Sequence, residues 1–380
     1  MSEQPPPAHA DHDADPDVDP DSGVGDRDVW WRRPLVTACL VLGFVAYVPA
    51  LIAAPGRMPA DSKLYLYLDP GRLIADALGT FDPRQFAGWV PHQHISFVWP
   101  SGPWFWVFEQ LGVPDWIAHR LWLGTLLVAA GLGVRWCALQ LGLPALPALV
   151  AAVVYELAPY LLPYVSRTSV MLLPWAGLGW IVALTVRATR RPGWRDPALI
   201  ALVGLTVGAV NATALAMIVP APVIWLVHAV WGRCCTWRDA LVVAARTAML
   251  SFGVSLWWIA ALVVQGRHGA DVLPYSESLA DVSFTSTSTE VWRGLGYWLF
   301  YIRDPYGATT SVSLRYLTSS PAIAISFATF SITGSPGPGR SMPNWPMRSC
   351  RSRRPGPSTT GPSSHRSARS PRACTCRATR

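Results

Sequence analysis

The sequence predicts an all-α polytopic membrane protein with a long first external loop and disordered termini. Three observations carry that expectation. Of the 380 residues, 51% are apolar, only 14% are charged and 20 are Trp, a balance foreign to a water-soluble domain. Apolar runs of roughly 20 residues, the length that crosses hydrocarbon, recur along the chain. Arginine falls between these runs in a pattern that places it on one side of a bilayer.

The elements follow in chain order. Residues 1–28, MSEQPPPAHADHDADPDVDPDSGVGDRD, hold nine acids and one Arg and no apolar run. Such a segment cannot bury enough surface to offset its ordering entropy, so residues 1–29 are expected as a disordered acidic cytoplasmic tail. It has neither the basic start nor the cleavage site of a signal peptide, so the first apolar run is expected to stay as an anchor. The expected spans are Pro34 to Ala54, Ile117 to Val134, Leu143 to Leu162, Val170 to Val186, Pro197 to Val210, Ala212 to Val230 and Leu241 to Val264. They make up a transmembrane domain over residues 30–333 with about seven or more crossings. The pair flanking Asn211 also reads as one bent or re-entrant element, and Ala322 to Ile332 is too short to count alone.

If each run crosses once, Arg32 and Arg33, Arg135, RATRRPGWR (187–195) and GRCCTWR (232–238) all fall on the cytoplasmic side. The external side then receives the loop 55–116, a short loop near Tyr164 to Ser169, the turn at Asn211, and Gln265 to about Ser320. Residues 334–380 hold ten Arg and no Asp, Glu or Lys, so the formal +8 of the whole chain becomes −2 without them. The basic balance belongs to that tail and gives no warrant for a nucleic-acid partner. Its surge of Arg, Pro and Ser reads either as a disordered basic tail or as out-of-frame translation of a GC-rich gene. The adjacent Cys234 and Cys235 have neither disulfide geometry nor zinc spacing, and no cofactor or metal site is read from the sequence.

The first external loop carries the candidate chemistry. A membrane enzyme that passes a sugar from a lipid phosphate to an external hydroxyl needs a carboxylate to take the hydroxyl proton and cations to hold the leaving phosphate. In PGRMPADSKLYLYLDPGRL (55–73), Asp61 fits the base, and Lys63 with Arg72 or Arg167 fits the phosphate; Asp69 or Asp76 could replace Asp61. The same residues fit a plainer reading, with Asp61 as the N-cap of a short interfacial helix and Lys63 snorkelling to lipid phosphates. His92-Gln93-His94 has a metal-like spacing without a third ligand and reads as a solvated or sugar-facing polar turn. Asn211, between two apolar runs, is either a turn residue or a cavity-lining amide. Trp104, Trp106, Trp116 and Trp122 read as an interfacial aromatic belt, with sugar stacking as the alternative and Trp104 as its candidate.

APGRMPADSKLYLYLDPGRLIADAL resembles the first external loop of the actinobacterial α-(1→3)-arabinofuranosyltransferase family, the AftD type, in which Asp-Thr-Lys-Leu stands for Asp61-Ser62-Lys63-Leu64. The resemblance continues through WPSGPWFWVFEQLGVPDWIAHRLWLGTLLVAAGLGV, ELAPYLLPYVSRTSVMLLPWAGLGWIVAL, GAVNATALAMIVPAPVIWL and WWIAALVVQGRHGADVLPYSES, over roughly residues 30–330. It implies a GT-C-type glycosyltransferase membrane core working on the external face of the plasma membrane. The implied donor is decaprenyl-phosphoryl-arabinose, and the acceptor an arabinan of arabinogalactan or lipoarabinomannan. It implies Asp61 as the catalytic base and Lys63 as the partner of the donor phosphate. Two departures stand out: Ser62 in place of Thr, and Ser101 where a His is expected after Pro100. Family members run far longer, so the chain resembles their N-terminal membrane portion, and a truncated inactive fragment is one alternative. A solute permease or lipid-linked glycan flippase is another, but it calls for ionisable groups inside the spans and an inverted repeat, and Glu156 is the main such group.

Overall fold

The computed structural model describes residues 34–58, 65–77, 79, 81, 88, 97–158, 161, 164–165, 169–191, 193–209, 212–269, 278, 280, 283–284, 286–293, 295, 303–304, 307–308 and 316–334. Both termini lie outside the described residues, as do Asp61, Lys63, His92, Gln93, Arg167 and Asn211. The helices are α1 (Pro34–Ile52), α2 (Tyr65–Leu68), α3 (Pro70–Asp76), α4 (Ser101–Gln110), α5 (Asp115–Gln140), α6 (Ala145–Glu156), α7 (Leu172–Arg190), α8 (Arg195–Val207), α9 (Ala212–Ile218), α10 (Pro220–Trp231), α11 (Trp237–His268), α12 (Ser288–Trp292) and α13 (Ser320–Gly334). A two-residue antiparallel ladder pairs β1 (Arg303–Asp304) with β2 (Gly307–Ala308).

Each run expected to cross carries helix among the described residues, and four of the described helices, α1, α5, α7 and α11, are long and apolar enough to span a membrane. The lengths differ from the apolar runs for identifiable reasons. α6 stops at Glu156, although the apolar run continues to Leu162, because Pro159 and Pro163 follow. Proline lacks the N–H that the helix ladder needs and pushes its predecessor out of helical geometry. α5 runs past Val134 to Gln140, because Arg135 does not have to face lipid: its guanidinium donates to the Pro34 carbonyl at 3.2 Å. Near Asn211, which lies outside the described residues, α8 ends at Val207 and helix resumes at Ala212, and the run Ala212 to Val230 is itself divided into α9 and α10 before Pro220.

α5 is the hub, packed against α1, α6 and α7. Apolar surface gives little drive between helices in lipid, so association depends on close approach and interhelical hydrogen bonds. Each face of α5 supplies a glycine for this. Gly124 receives the ring of Tyr47 from α1, and Gly131 receives the carboxyl of Glu156 from α6. At Gly133 the α5 backbone meets that of α7, where a Cβ on Gly179 would lie 2.6 Å from the Gly133 carbonyl carbon. Tyr47 shares a 2.8 Å hydroxyl contact with Thr125, and the Trp180 indole N–H donates to the Ala129 carbonyl at 2.8 Å.

One end of the bundle is bound by arginine. Besides Arg135, Arg190 donates to the Gln140 carbonyl at 2.8 Å and Arg246 to that of Gly193 at 3.1 Å, with its guanidinium 4.7 Å from the Trp194 ring. Arg187 pairs with Asp196 through Nε at 2.9 Å and lies 5.3 Å from the Trp136 ring centroid. Of the arginines grouped by the sequence pattern, Arg187 and Arg190 tie α7 to α8 and α5 at this end, and Arg246, which falls inside an expected span, adds α11.

Candidate active site at the loop end

Opposite the arginine end, the chain leaves α1 through a tight turn. Ala54 has φ 46° and Gly56 φ 75°, and the Arg57 N–H closes the turn on the Ala54 carbonyl at 3.2 Å. A left-handed backbone costs glycine nothing, which suits Gly56 to this corner. The next helices lie over the bundle. Asp69 caps α3 by accepting from the Arg72 backbone N–H at 2.9 Å, and Pro70 opens the helix with its φ already set. The Arg72 guanidinium lies 3.7 Å from Asp76, with both side chains about half exposed. α3 packs on α4 through two glycines: Gly71 faces the Trp106 indole and Gly102 faces Ile74 and the Phe97 carbonyl. Ser101, fully buried at the start of α4, donates its hydroxyl to that same carbonyl at 3.1 Å.

Beneath these helices is an aromatic floor built on the head of α5. The Tyr67 ring meets Phe105 edge-on at 4.7 Å and His119 at 5.3 Å, and Trp122 lies 5.6 Å from Trp104 and 6.0 Å from Phe105. Leu66, Phe97 and His119 are completely buried here. Arg120, the next residue on α5, turns to the other flank and donates Nη2 to the carbonyls of Ala53 at 3.4 Å and Arg57 at 3.1 Å. The Trp122 indole N–H is buried with no hydrogen-bond partner among the described residues.

Of the residues proposed for donor and substrate binding, Arg72 and Trp104 are described, and they lie on the packed pair α3 and α4. Trp104 is half-buried, with its indole N–H donated to the Ala118 carbonyl at 3.2 Å, so it ties α4 to α5. Trp122 is buried in the same group, whereas Trp106 stays 43% exposed, so the aromatic belt expected from sequence divides into floor and rim. Asp69 is engaged as a helix cap and Asp76 beside Arg72. Tyr67, His119 and Arg120 were not singled out from the sequence, and Trp122 only within the aromatic group. The sequence signal for two of them was the adjacent polar pair His119-Arg120 inside an apolar run. The half-exposed Arg72 stands on α3, packed against the α4 that carries part of the aromatic floor, a setting that suits an anionic group at the surface with an apolar or sugar face beneath it.

The profile of a family described as α-(1→3)-arabinofuranosyltransferase, N-terminal GT-C domain, matches residues 45–345. The chain belongs to this family. It is 32% identical over 292 residues to an α-(1→3)-arabinofuranosyltransferase of Mycobacterium tuberculosis, a match covering 74% of this chain and 20% of that protein. The protein of the same name in Mycolicibacterium smegmatis is 30% identical over 300 residues, covering 76% and 20%. A single-particle cryo-EM structure of the arabinofuranosyltransferase AftD from Mycobacteria superposes with a TM-score of 0.56 at 29% identity, over 71% of this chain and 19% of that one. A mutant form of it gives 0.57 at 28% identity, over 71% and 20%. The helical GT-C membrane fold expected from the sequence is therefore the fold of this chain. The chain spans about one fifth of the length of these relatives.

Proposed function

We propose that this chain acts in transfer of arabinofuranose from a polyprenyl-phosphate donor of the decaprenyl-phosphoryl-arabinose type to a cell-wall arabinan on the external face of the membrane. The observation that carries the reading is the family match across 45–345, whose named members are arabinofuranosyltransferases. The architecture supports it. Arginine concentrates at one end of the bundle, the end expected in the cytoplasm by the positive-inside rule, and Arg72 and the aromatic floor lie at the other.

In the proposed mechanism the acceptor hydroxyl oxygen attacks the anomeric carbon while its proton passes to the Asp61 carboxylate. The bond from that carbon to the phosphate oxygen breaks, and its electron pair leaves with the phosphate. Lys63, Arg72 and Arg167 neutralise the charge that develops there. His92, Gln93, Asn211 and Trp104 hold the sugars in the reacting geometry. Membranes carrying Asp61→Asn, supplied with radiolabelled donor, are expected to lose transfer at unchanged protein level; retained transfer would refute the assignment.

A second reading rests on the one-fifth coverage: the chain binds the donor, and transfer requires parts of the relatives that lie beyond the match. Donor binding with no transfer by the unsubstituted chain would favour it.

A further inference from the structure

We propose that the turn between α10 and α11 is a docking surface for acidic phospholipid headgroups at the arginine end of the bundle. The proposal stands apart from the transfer reaction, and its test needs neither donor nor acceptor. The arginines of this end divide into two sets. Arg135, Arg187, Arg190 and Arg246 are turned inward, to the Pro34 carbonyl, to Asp196, and to the carbonyls of Gln140 and Gly193. Arg191, Arg195, Arg233 and Arg238 are exposed, and among the described residues their side chains make no hydrogen bond or ion pair. The acids at hand are already engaged. Asp196 holds Arg187, and Asp239 accepts from the Thr236 hydroxyl at 2.7 Å and backbone N–H at 3.2 Å in the capping box of α11. Four cations are thus left without an anion among the described residues.

Two of the four sit on a turn that overhangs its neighbours. The Trp225 indole N–H reaches the Thr189 hydroxyl at 3.4 Å and Arg246 reaches the Gly193 carbonyl at 3.1 Å, so α10 and α11 are each level with the α7–α8 turn before they meet each other. At about 1.5 Å per residue, α10 runs about 9 Å on from Trp225 to Trp231, and α11 has run about 13 Å from Trp237 when it reaches Arg246. The overhang exposes two kinds of surface at once. Trp231 is 77% exposed, and Trp237 and Leu241 are exposed with it, in the same short stretch as Arg233 and Arg238. Indole and leucine surface calls for an apolar cover and a guanidinium for an anion, and the headgroup zone of an acidic bilayer supplies both together. A dissolved anion would serve the arginines alone. Arg233 itself stands where a side chain is costly. The Cys234 N–H closes on the Ala229 carbonyl at 2.8 Å and the Arg233 N–H on that of Val230 at 2.9 Å, which puts Arg233 in the left-handed region at φ 55°. Glycine takes such a helix end at least cost, and here it carries an exposed cation instead.

Cys234, exposed in the turn, serves as the reporter. The full chain, with its other six cysteines replaced by Ala, carries bimane at Cys234 and is reconstituted into vesicles of equal phosphatidylcholine and phosphatidylglycerol, with bromine on one lipid at a time. Bromine quenches only nearby dye, so the ratio of the two quenching signals gives the lipid composition at the turn. Phosphatidylglycerol should be enriched there. One arginine near an anionic surface shifts partitioning by about 5-fold, so Arg233→Gln with Arg238→Gln should lower the preference by about 5- to 30-fold. Arg233→Lys with Arg238→Lys keeps the charge and should keep most of it. Arg57→Gln with Arg267→Gln, exposed at the opposite end, should leave it unchanged. Quenching by neither lipid, a ratio near one in the unsubstituted turn, an equal loss in both Gln pairs, or as large a loss in the Lys pair overturns the proposal. So does a preference that appears only when the nine acids of residues 1–28 are replaced by Asn and Gln, because those acids would then be the partner of the turn.

Discussion

Replacing Gly179 by Ala tests whether the α5–α7 crossing depends on backbone contact. A Cβ at this position would stand 2.6 Å from both the Gly133 carbonyl carbon and the Val134 nitrogen, and 3.0 Å from the Gly133 oxygen. Favourable carbon contacts begin near 3.5 Å, so the helices must part by roughly 1 Å, and backbone atoms cannot rotate aside as a side chain would. The 2.8 Å bond from Trp180 to the Ala129 carbonyl lies one residue away and would stretch past hydrogen-bonding range. Overpacking costs about 1–3 kcal/mol and a lost hydrogen bond about 1 kcal/mol, while the stiffer alanine chain returns about 0.5–1 kcal/mol. A net destabilisation of about 1–3 kcal/mol follows from those terms. Gly253 on α11 is the control, since nothing lies within 4 Å of its Cβ position, and Ala there should be neutral or mildly stabilising. Unfolding in mixed micelles with increasing dodecyl sulfate, followed by helicity, gives both values. If Gly179→Ala proved as stable as Gly253→Ala, the close crossing would be wrong.

Two further predictions concern the arginine end. Asp196→Asn removes the buried carboxylate that pairs the partly buried Arg187 and should cost about 3 kcal/mol, toward the low end for broken buried pairs because the Arg187 side chain keeps some solvent contact and the Trp136 ring remains beneath its guanidinium. The paired replacement Arg187→Met with Asp196→Leu should cost less than Asp196→Asn, and a double-mutant cycle in the same unfolding assay checks the order. At Cys235, burial first, then the neighbouring Asp239 and Cys234, push the thiol pKa up. Only the thiolate is alkylated, so the rate should keep climbing through pH 9, where an ordinary thiol begins to level. Peptide-resolved mass spectrometry across a pH series measures it; levelling below pH 9 would contradict the environment, and Asp239→Asn should bring the levelling point down.

The spans were legible because hydropathy belongs to contiguous residues, and the arginine grouping because each cluster is read against its neighbouring spans. What escaped the sequence depends on partners far along the chain. Trp104 and Trp106 look alike in SGPWFWVFEQ, yet the first is bonded to Ala118 on α5 and the second is 43% exposed at the rim. Arg120 meets a carbonyl 63 residues upstream, and no local spacing encodes that contact. Arg135 reads as a span terminus until the Pro34 carbonyl is beside it. The end of α6 was readable, since Pro159 and Pro163 announce it, but the apolar run outweighed them. Glu156 was conspicuous as an acid in an apolar segment. Its niche against Gly131 and Leu42, where neither oxygen has a hydrogen-bond partner among the described residues, required the packing of three helices.

The glycines of α5 also set an order of assembly. The loop-end half of the seam with α1 can form once Thr125 has been made, since Tyr47, Gly124, Arg120 and the α1 exit then all exist, and the Pro34 end follows with Arg135. The seam with α7 waits for Trp180, another 51 residues beyond Ala129. During synthesis, N-terminal elements are free to pair first. The corner leading to Asp61 can therefore be set while most of the bundle is still unmade, and a change at Gly124 would disturb the newborn chain earlier than one at Gly133.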